Sequence, residues 1–237
     1  MSGDTSTEFI ERLRRAGAAR YHDNHPFNVR MHAGQLSRAE LGERVRNRYY
    51  YQTRIPIKDA LILAKSDDPA WRRVWIHRIV DHDGADGEGA AEGGLALWLK
   101  LAEAVGLDRE EVRSLSAVLP GVRFACDAYV SFVREHSLLE SVASSLTEAF
   151  APDIMTKRIA AWEAHYPWVD KAALDYFRSR VPRARRDSEE AIAFVVARAT
   201  TRELQDQCVA ALIRKCEILW SLLDSVALGP TLVSTAS

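Results

Sequence analysis

From position 200 to position 230 the chain reads TTRELQDQCVAALIRKCEILWSLLDSVALGP, and this stretch decides the fold. Thr200, with Glu203 three residues on, has the capping-box form: a hydroxyl to hold a free N–H and a carboxylate reaching back. Neither proline nor glycine interrupts until Gly229-Pro230, a pair that stops a helix sharply. Leu212, Lys215, Leu219, Leu222 and Val226 fall on one face at helical spacing. The pattern predicts a helix over 201–228, the longest in the chain.

The same start signal recurs upstream at Thr5-x-x-Glu8, Ser37-x-x-Glu40, Asp108-x-x-Glu111 and Ser137-x-x-Glu140, and Asp68-Pro69 adds an N-cap with proline at the first helical position. Helices are predicted at about 5–20, 37–55, 57–66, 69–82, 94–105, 121–136, 138–150, 153–165, 171–180 and 187–199 as well, some neighbours being one bent helix. Twelve glycines and eight prolines make up about 8% of the 237 residues, below the ~12% of an average protein, and five of those glycines crowd into 84–94, the one long flexible loop. Period-2 alternation bounded by turn residues is absent, so no strand is expected. Nothing resembles a linker or an internal repeat. The fold class is therefore all-α, one helical-bundle domain over 1–230 followed by a short C-terminal tail, 231–237.

Composition excludes several functions. Thirty-two basic side chains against 33 acidic ones give no field to hold nucleic acid or an anionic membrane. No apolar run approaches the ~18–20 residues of a membrane span. Asp4, Glu8, Glu11 and Arg12 stand where a secretory signal needs apolar residues, so a cytoplasmic protein is expected. Cys126, Cys208 and Cys216 have no metal-type spacing. Eight residues apart on one helix, the last two are separated by about 12 Å along its axis and cannot pair there.

Chemistry enters through cations on apolar helix faces. An unpaired buried charge costs several kcal/mol, so a basic residue there either snorkels to water or meets an anion. Lys215 is the clearest instance. Arg48 with Gln52 beside Tyr51, Arg78 with His82, and Tyr176 with Arg180 are spaced i,i+4 and share helix faces. With Lys58 just after Pro56, these pairs suggest a cationic cavity inside the bundle. Glu148 accompanies a small-polar stripe of Ser141, Ser144 and Ser145, which reads either as ligand space or as close helix packing. Arg183, Arg185 and Arg186 read as a solvated loop and helix start. No G-x-G-x-x-G after a strand, P-loop, G-x-S-x-G or H-E-x-x-H occurs, and Asp81, His82, Asp83 and Glu148 are at most an unspecific metal set.

Several long blocks then carry a resemblance. Arg48-Tyr-Tyr-Tyr-Gln-Thr-Arg-Ile-Pro-Ile-Lys58-Asp, Arg78-Ile-Val-Asp-His82-Asp-Gly84, Pro120-Gly-Val-Arg-Phe-Ala-Cys-Asp-Ala-Tyr129, Ser145-Leu-Thr-Glu148-Ala-Phe-Ala-Pro152, His165-Tyr-Pro-Trp168, Tyr176-Phe-Arg-Ser-Arg180 and Lys215-Cys-Glu-Ile-Leu-Trp-Ser-Leu-Leu-Asp224 resemble the pyrroloquinoline-quinone (PQQ) synthase family, over about Tyr21 to Asp224. The resemblance implies a compact seven-helix bundle of the haem-oxygenase-like type and a homodimer. It implies ring closure and O2-dependent oxidation of a bicyclic quinone precursor to PQQ, with H2O2 released. Metal and organic cofactors are then unnecessary, O2 being a co-substrate and PQQ the product, and the partners are the quinone substrate and O2, with no nucleic acid or membrane. Carried over position by position, the catalytic set is His82, Tyr176, Arg180 and Lys215. The substrate-binding set is Tyr21, His22, Arg48, Tyr51, Gln52, Lys58, Arg78, Tyr129, Glu148 and Arg158. A ligand with three carboxylates and an ortho-quinone suits such a cation-rich cavity. His82, with an imidazole near neutral pKa, and the cation-flanked phenol of Tyr176 are the expected proton movers, with Arg180 and Lys215 stabilising the anionic reduced quinone and peroxide.

This sequence departs from the family pattern where Met155 replaces a common histidine, where Asn24 and Asn28 flank His25-Pro26-Phe27, and in the longer glycine-rich loop 84–94. Two alternatives stand beside the synthase: a metal-dependent oxidase or thiamine-hydrolysing enzyme on the same fold, and a non-catalytic quinone-binding paralogue.

Overall fold

The computed structural model describes residues 3–87 and 91–234, with the backbone alone from 230 onward. Glu88–Ala90, the centre of the glycine-rich loop, and residues 235–237 of the tail lie outside the described residues. Twelve α-helices follow one another: α1 (Ser6–Ala18), α2 (Pro26–His32), α3 (Arg38–Leu63), α4 (Pro69–Trp75), α5 (His77–Asp83), α6 (Gly94–Ala104), α7 (Arg109–Ser114), α8 (Pro120–Glu135), α9 (Leu138–Ser144), α10 (Ala151–His165), α11 (Asp175–Arg198) and α12 (Arg202–Ser234). Short 3-10 turns occupy His22–Asn24, Ser145–Phe150 and Lys171–Leu174, and no strand occurs among the described residues. Seven of the helices exceed ten residues, which is the size of the expected bundle; the other five are one- or two-turn connectors.

The caps act where the sequence places them. Thr5 with Glu8, Ser37 with Glu40 and Ser137 with Glu140 all form reciprocal capping boxes, and Asp108 accepts from the Glu111 N–H at 2.7 Å. At α12 the cap shifts by one: Thr201 Oγ1, not Thr200, accepts from the Leu204 N–H at 3.2 Å.

Proline misleads at three places. Pro56 and Pro182 lie inside α3 and α11 rather than ending helices, so 37–55 with 57–66, and 171–180 with 187–199, are largely continuous. A proline removes one N–H and crowds the preceding turn, a cost that packing along the rest of a long buried helix outweighs. Gly229-Pro230 does not stop α12 either. Gly229 is not among the residues with positive φ; it allows close approach, since a Cβ there would lie 2.7 Å from Leu119 Cδ1. Because α11 runs unbroken, Arg183, Arg185 and Arg186 sit mid-helix rather than in a loop, and Arg183 and Arg186 grip Asp81 on α5 at 3.2 and 2.6 Å. Gly84, at φ +95, turns the chain out of α5, and Gly93 returns it against the Gly84 backbone, so the loop is closed at its base.

The longest helices make the core: α3 packs on α8, α5 and α6, α12 packs on α8, α9 and α1, and α11 packs on α10 and α9. Their apolar faces form one continuous cluster that includes Trp75, Trp162, Tyr129, Leu212, Leu219 and Leu222. The residues expected at the site lie inside this layer rather than on its surface.

Candidate active site

All fourteen expected residues enter the interior; thirteen are buried, and the Glu148 side chain is 17% exposed. They divide into two ends.

At the first end, α5, α11, the middle of α3 and the 145–150 turn meet. Arg78 Nη1 donates to Glu148 Oε2 at 2.6 Å, while its Nη2 donates to the Asp187 carbonyl and its guanidinium stacks 3.8 Å from the centre of the Trp75 ring. Arg180 lies 3.9 Å from Glu148 and 3.7 Å from Asp187. Lys58 pairs with Asp59 at 2.7 Å and donates to Ser145 Oγ at 3.0 Å, and Trp75 Nε1 holds Asp59 at 3.0 Å. Burial pushes the Glu148 carboxyl up, but Arg78, Arg180 and Lys58 together hold it below its ordinary value. Burial lowers the Lys58 ammonium, yet Asp59, Tyr129 and Glu148 leave it above its ordinary value. Two of these carboxylates, Asp59 and Asp187, were not expected from the sequence; the signal for each was its place beside a basic residue, Lys58 and Arg186, the latter pairing with Asp187 at 2.7 Å.

His82 corrects one expectation. Burial, followed by the charge of Arg180, pushes its imidazole down to about 3, not near neutrality. Its Nδ1 lies 3.0 Å from the Arg78 carbonyl, which can only accept, so Nδ1 carries the proton and Nε2 is left as an unpartnered base. Burial raises the Tyr176 phenol despite Arg180 and Arg48, and its hydroxyl donates to Gln52 Oε1 at 2.9 Å. Gly94, opening α6, sits between them: a Cβ there would lie 3.4 Å from Tyr176 Cε2 and 3.7 Å from His82 Cα.

At the second end lie Arg48, Arg158, Lys215, Tyr21, His22, Tyr51 and Tyr129. Lys215 Nζ stands 3.3 Å from the Tyr129 ring centre and 4.3 Å from that of Tyr51, with no hydrogen-bond partner among the described residues. Only 2% exposed, it does not snorkel; burial, Arg48 and Lys58 push its ammonium well below the ordinary value. Burial and Arg48 lower Arg158 to about 10. Asn28 donates to the His22 carbonyl at 2.7 Å and so fixes that turn, whereas Asn24, at the surface, holds the Ala18 carbonyl. Met155 offers a thioether sulfur to Arg158 at 3.9 Å.

The serine stripe divides as well. Ser141 donates to the Val133 carbonyl and serves helix packing, whereas Ser144, which donates to the Ser141 carbonyl, also lies 3.4 Å from the Tyr129 hydroxyl, and Ser145 accepts from Lys58. The sequence also missed Arg44, one turn before Arg48 on α3 and 3% exposed; its i−4 spacing from Arg48 was the available signal. Among the described residues seven Arg or Lys side chains are buried, all of them in this cluster, facing only Asp59, Asp187 and Glu148. Four cations thus lack a carboxylate partner. No group of three or more His, Cys, Asp or Glu among the described residues is arranged to hold a metal ion. An open groove of about 690 Å³ between α8 and the outer face of α12 shares no residue with the cluster.

Comparison with known proteins agrees with this picture. The TENA/THI-4/PQQC family profile matches residues 10–225. The chain belongs to the TENA/THI-4/PQQC family. Within it, a protein of Ectopseudomonas mendocina (strain ymp) named pyrroloquinoline-quinone synthase is 50% identical over 225 residues, covering 95% of this chain and 88% of that protein. A protein of the same name from Pseudomonas aeruginosa PAO1 is 50% identical over 222 residues, covering 94% of this chain and 87% of its own length. Among solved structures, a domain of unknown function with a haem-oxygenase-like fold from Shewanella denitrificans superposes with a TM-score of 0.76 at 16% identity, covering 98% of this chain and 95% of that one. A TenA homologue from P. horikoshii gives 0.65 at 13% identity, covering 92% and 97%. At such identities the structures establish the shared fold, and the all-α haem-oxygenase-like architecture stands.

Proposed function

We propose that this TENA/THI-4/PQQC family member acts as a pyrroloquinoline-quinone synthase, closing the ring of a bicyclic quinone precursor and oxidising it with O2 to PQQ. The observation that carries the reading is the buried set of guanidinium and ammonium donors without protein carboxylates, a demand that a planar tricarboxylate quinone meets. Relatives bearing that enzyme name at about 50% identity over nearly the whole chain support it.

Each oxidation removes two electrons and two protons from the ring system and delivers them to O2 as H2O2. The reduced, quinone-type ring passes its electrons to oxygen directly, so the protein supplies binding, charge and proton handling. His82 Nε2, kept neutral by burial, is the group that takes a proton from the ring. Tyr176, its hydroxyl oriented by Gln52, is a phenol that can donate one. Arg180 and Lys215 stabilise the anionic reduced ring and the peroxide. The runner-up chemistry with a nucleophilic cysteine is disfavoured: burial pushes the thiols of Cys126 and Cys208 up to about 12 and that of Cys216 to about 11, far from thiolates. We place the enzyme in the cytoplasm as a homodimer, following the family resemblance; no helix among the described residues is long and apolar enough to cross a membrane.

The deciding experiment is single turnover of purified protein on the ring-open precursor, following O2 uptake, peroxide release and PQQ absorbance before and after a chelator. The expected result is PQQ formation unaffected by chelation. Activity lost on chelation with stoichiometric iron or manganese would transfer the reading to a metal-dependent oxidase. Tight PQQ binding with no turnover would make the chain a binding paralogue.

A further inference from the structure

Beyond the fourteen residues of the family set, one buried cation is unexplained. Arg44, on α3, is 3% exposed, and among the described residues its only hydrogen bond runs from Nε to the Met31 thioether sulfur at 2.9 Å, with no partner for Nη1. Thioether sulfur is a weak acceptor and no substitute for a carboxylate. Arg158, which faces it from α10, is in the same condition: Nη1 reaches only the Met155 sulfur, while Nε and Nη2 are buried without partners. Among the described residues no carboxylate lies within 4.0 Å of Arg44, Arg48 or Arg158; the nearby Asp23 pairs with Lys157 at 3.2 Å through Oδ2, and its Oδ1 stands 3.4 Å from His32 Nδ1 without a hydrogen bond. Arg44, Arg48 and Gln52 recur every four residues, so Arg44 extends by one turn the face of α3 that carries the proposed site residues Arg48 and Gln52. His32, its side chain 5% exposed, has both ring nitrogens free of hydrogen bonds beside the same guanidiniums.

We infer that Arg44 is a substrate-binding residue: with Arg158 and Arg48 it forms a second anion subsite, between α2, α3 and α10, that takes a carboxylate of the substrate at the end opposite Arg78, Glu148 and Arg180. The assignment rests on the proposed quinone site for the identity of the whole ligand, but the subsite's charge chemistry stands on these side chains. The two ends differ in kind. The Arg78 end is neutralised by Glu148, Asp187 and Asp59 and suits an uncharged or transiently charged part of the ring. The Arg44 end, built on sulfur acceptors, has permanent charge to spare and suits a permanent anion. Burial and the facing charges of Arg158 and Arg48 push the Arg44 guanidinium well below its ordinary value, the mark of a cation that the protein alone does not stabilise.

The test is titration of wild type, Arg44→Met, Arg44→Lys and Lys215→Ala with PQQ and with benzene-1,3,5-tricarboxylate, a tricarboxylate that lacks the quinone, together with thermal melting of each ligand-free protein. Arg44→Met should weaken PQQ binding roughly 10- to 100-fold, the effect of losing a charge-assisted hydrogen bond, and should melt no lower than wild type because it removes an unmatched charge. Arg44→Lys keeps the charge but not the fork and should fall between; if the methionine variant does not fold, the lysine variant decides. PQQ affinity within about twofold of wild type in the Arg44 variants, with Lys215→Ala weakened, overturns the subsite and leaves the quinone site standing. So does a fall in melting temperature without a fall in affinity, which would make Arg44 a structural residue. If wild type fails to bind PQQ yet binds the benzene tricarboxylate in an Arg44-dependent way, the subsite stands and the quinone reading falls. Binding of neither overturns both.

Discussion

At the scale of the residue, the site is defined by charges that the fold buries without matching. Lys215 is the sharpest example. Its amine lies among Tyr129, Tyr51, Arg48 and Lys58, over two aromatic faces and with no hydrogen-bond partner among the described residues, so an arriving carboxylate or reduced quinone oxygen gains a donor not already spent. Lys215→Ala should therefore weaken PQQ binding by about 1.5–3 kcal/mol, read by calorimetric titration; wild-type affinity would show that the amine has no ligand to hold. His82 tests chemistry rather than binding. Asparagine keeps polarity and one hydrogen bond but cannot take and return a proton, so His82→Asn should retain most PQQ affinity while slowing single-turnover oxidation by about 10²- to 10⁴-fold. Unchanged rates would remove His82 from the mechanism. The i,i+4 pairing of polar with basic residues made Arg48, Arg78, Arg180 and their partners legible in the sequence. Arg44 was not read, although it stands four residues before Arg48, because nothing local shows that its turn of α3 is buried; nor was Asp187, whose burial beside Arg78 and Arg180 is a tertiary fact. Nor was the low pKa of His82, which follows from tertiary burial and from Arg180.

Elements set the geometry of those residues, and here the sequence was legible at starts and misleading at stops. Capping boxes depend on four consecutive residues, so Thr5, Ser37 and Ser137 declared themselves. Prolines and glycines are read by local rules that packing overrides, and so α3 and α11 are longer than expected and α12 passes through Gly229-Pro230. The short α2 was also missed, although His25 caps it by accepting from the Phe27 N–H at 3.1 Å. Continuity matters for function, since α3 carries Arg44, Arg48, Tyr51, Gln52 and Lys58 on one unbroken scaffold. The Ser37 cap secures only the first turn of that scaffold. Ser37→Ala should cost about 1 kcal/mol in chemical denaturation and leave PQQ affinity unchanged. A matching loss of affinity would mean that fraying propagates as far as Arg44.

For the whole molecule, burying cations and neutral imidazoles at the centre of the bundle ties stability to pH. His22 and His82 are wholly buried, and burial with neighbouring arginines holds both far below the ordinary histidine value of 6.5, His82 at about 3. In the unfolded chain each regains a pKa near 6.5. As pH falls below that value the unfolded state takes up protons that the folded state refuses, and stability drops, by up to about 1.4 kcal/mol per pH unit for each group. For His82 the loss continues until the folded imidazole itself accepts a proton near pH 3. Glu148 acts in the same direction lower down, because a carboxyl held below its ordinary value loses its contribution as pH falls through its folded-state pKa. Asp59 and Asp187, raised by burial, act oppositely, so a raw pH profile mixes several groups. The clean measurement is therefore a difference. Urea unfolding of wild type and His82→Asn from pH 6 to pH 4.5 should show the variant's stability falling less steeply, by about 1 kcal/mol per pH unit. Parallel profiles would show that the imidazole titrates normally in the folded protein, so that burial is not what keeps it neutral.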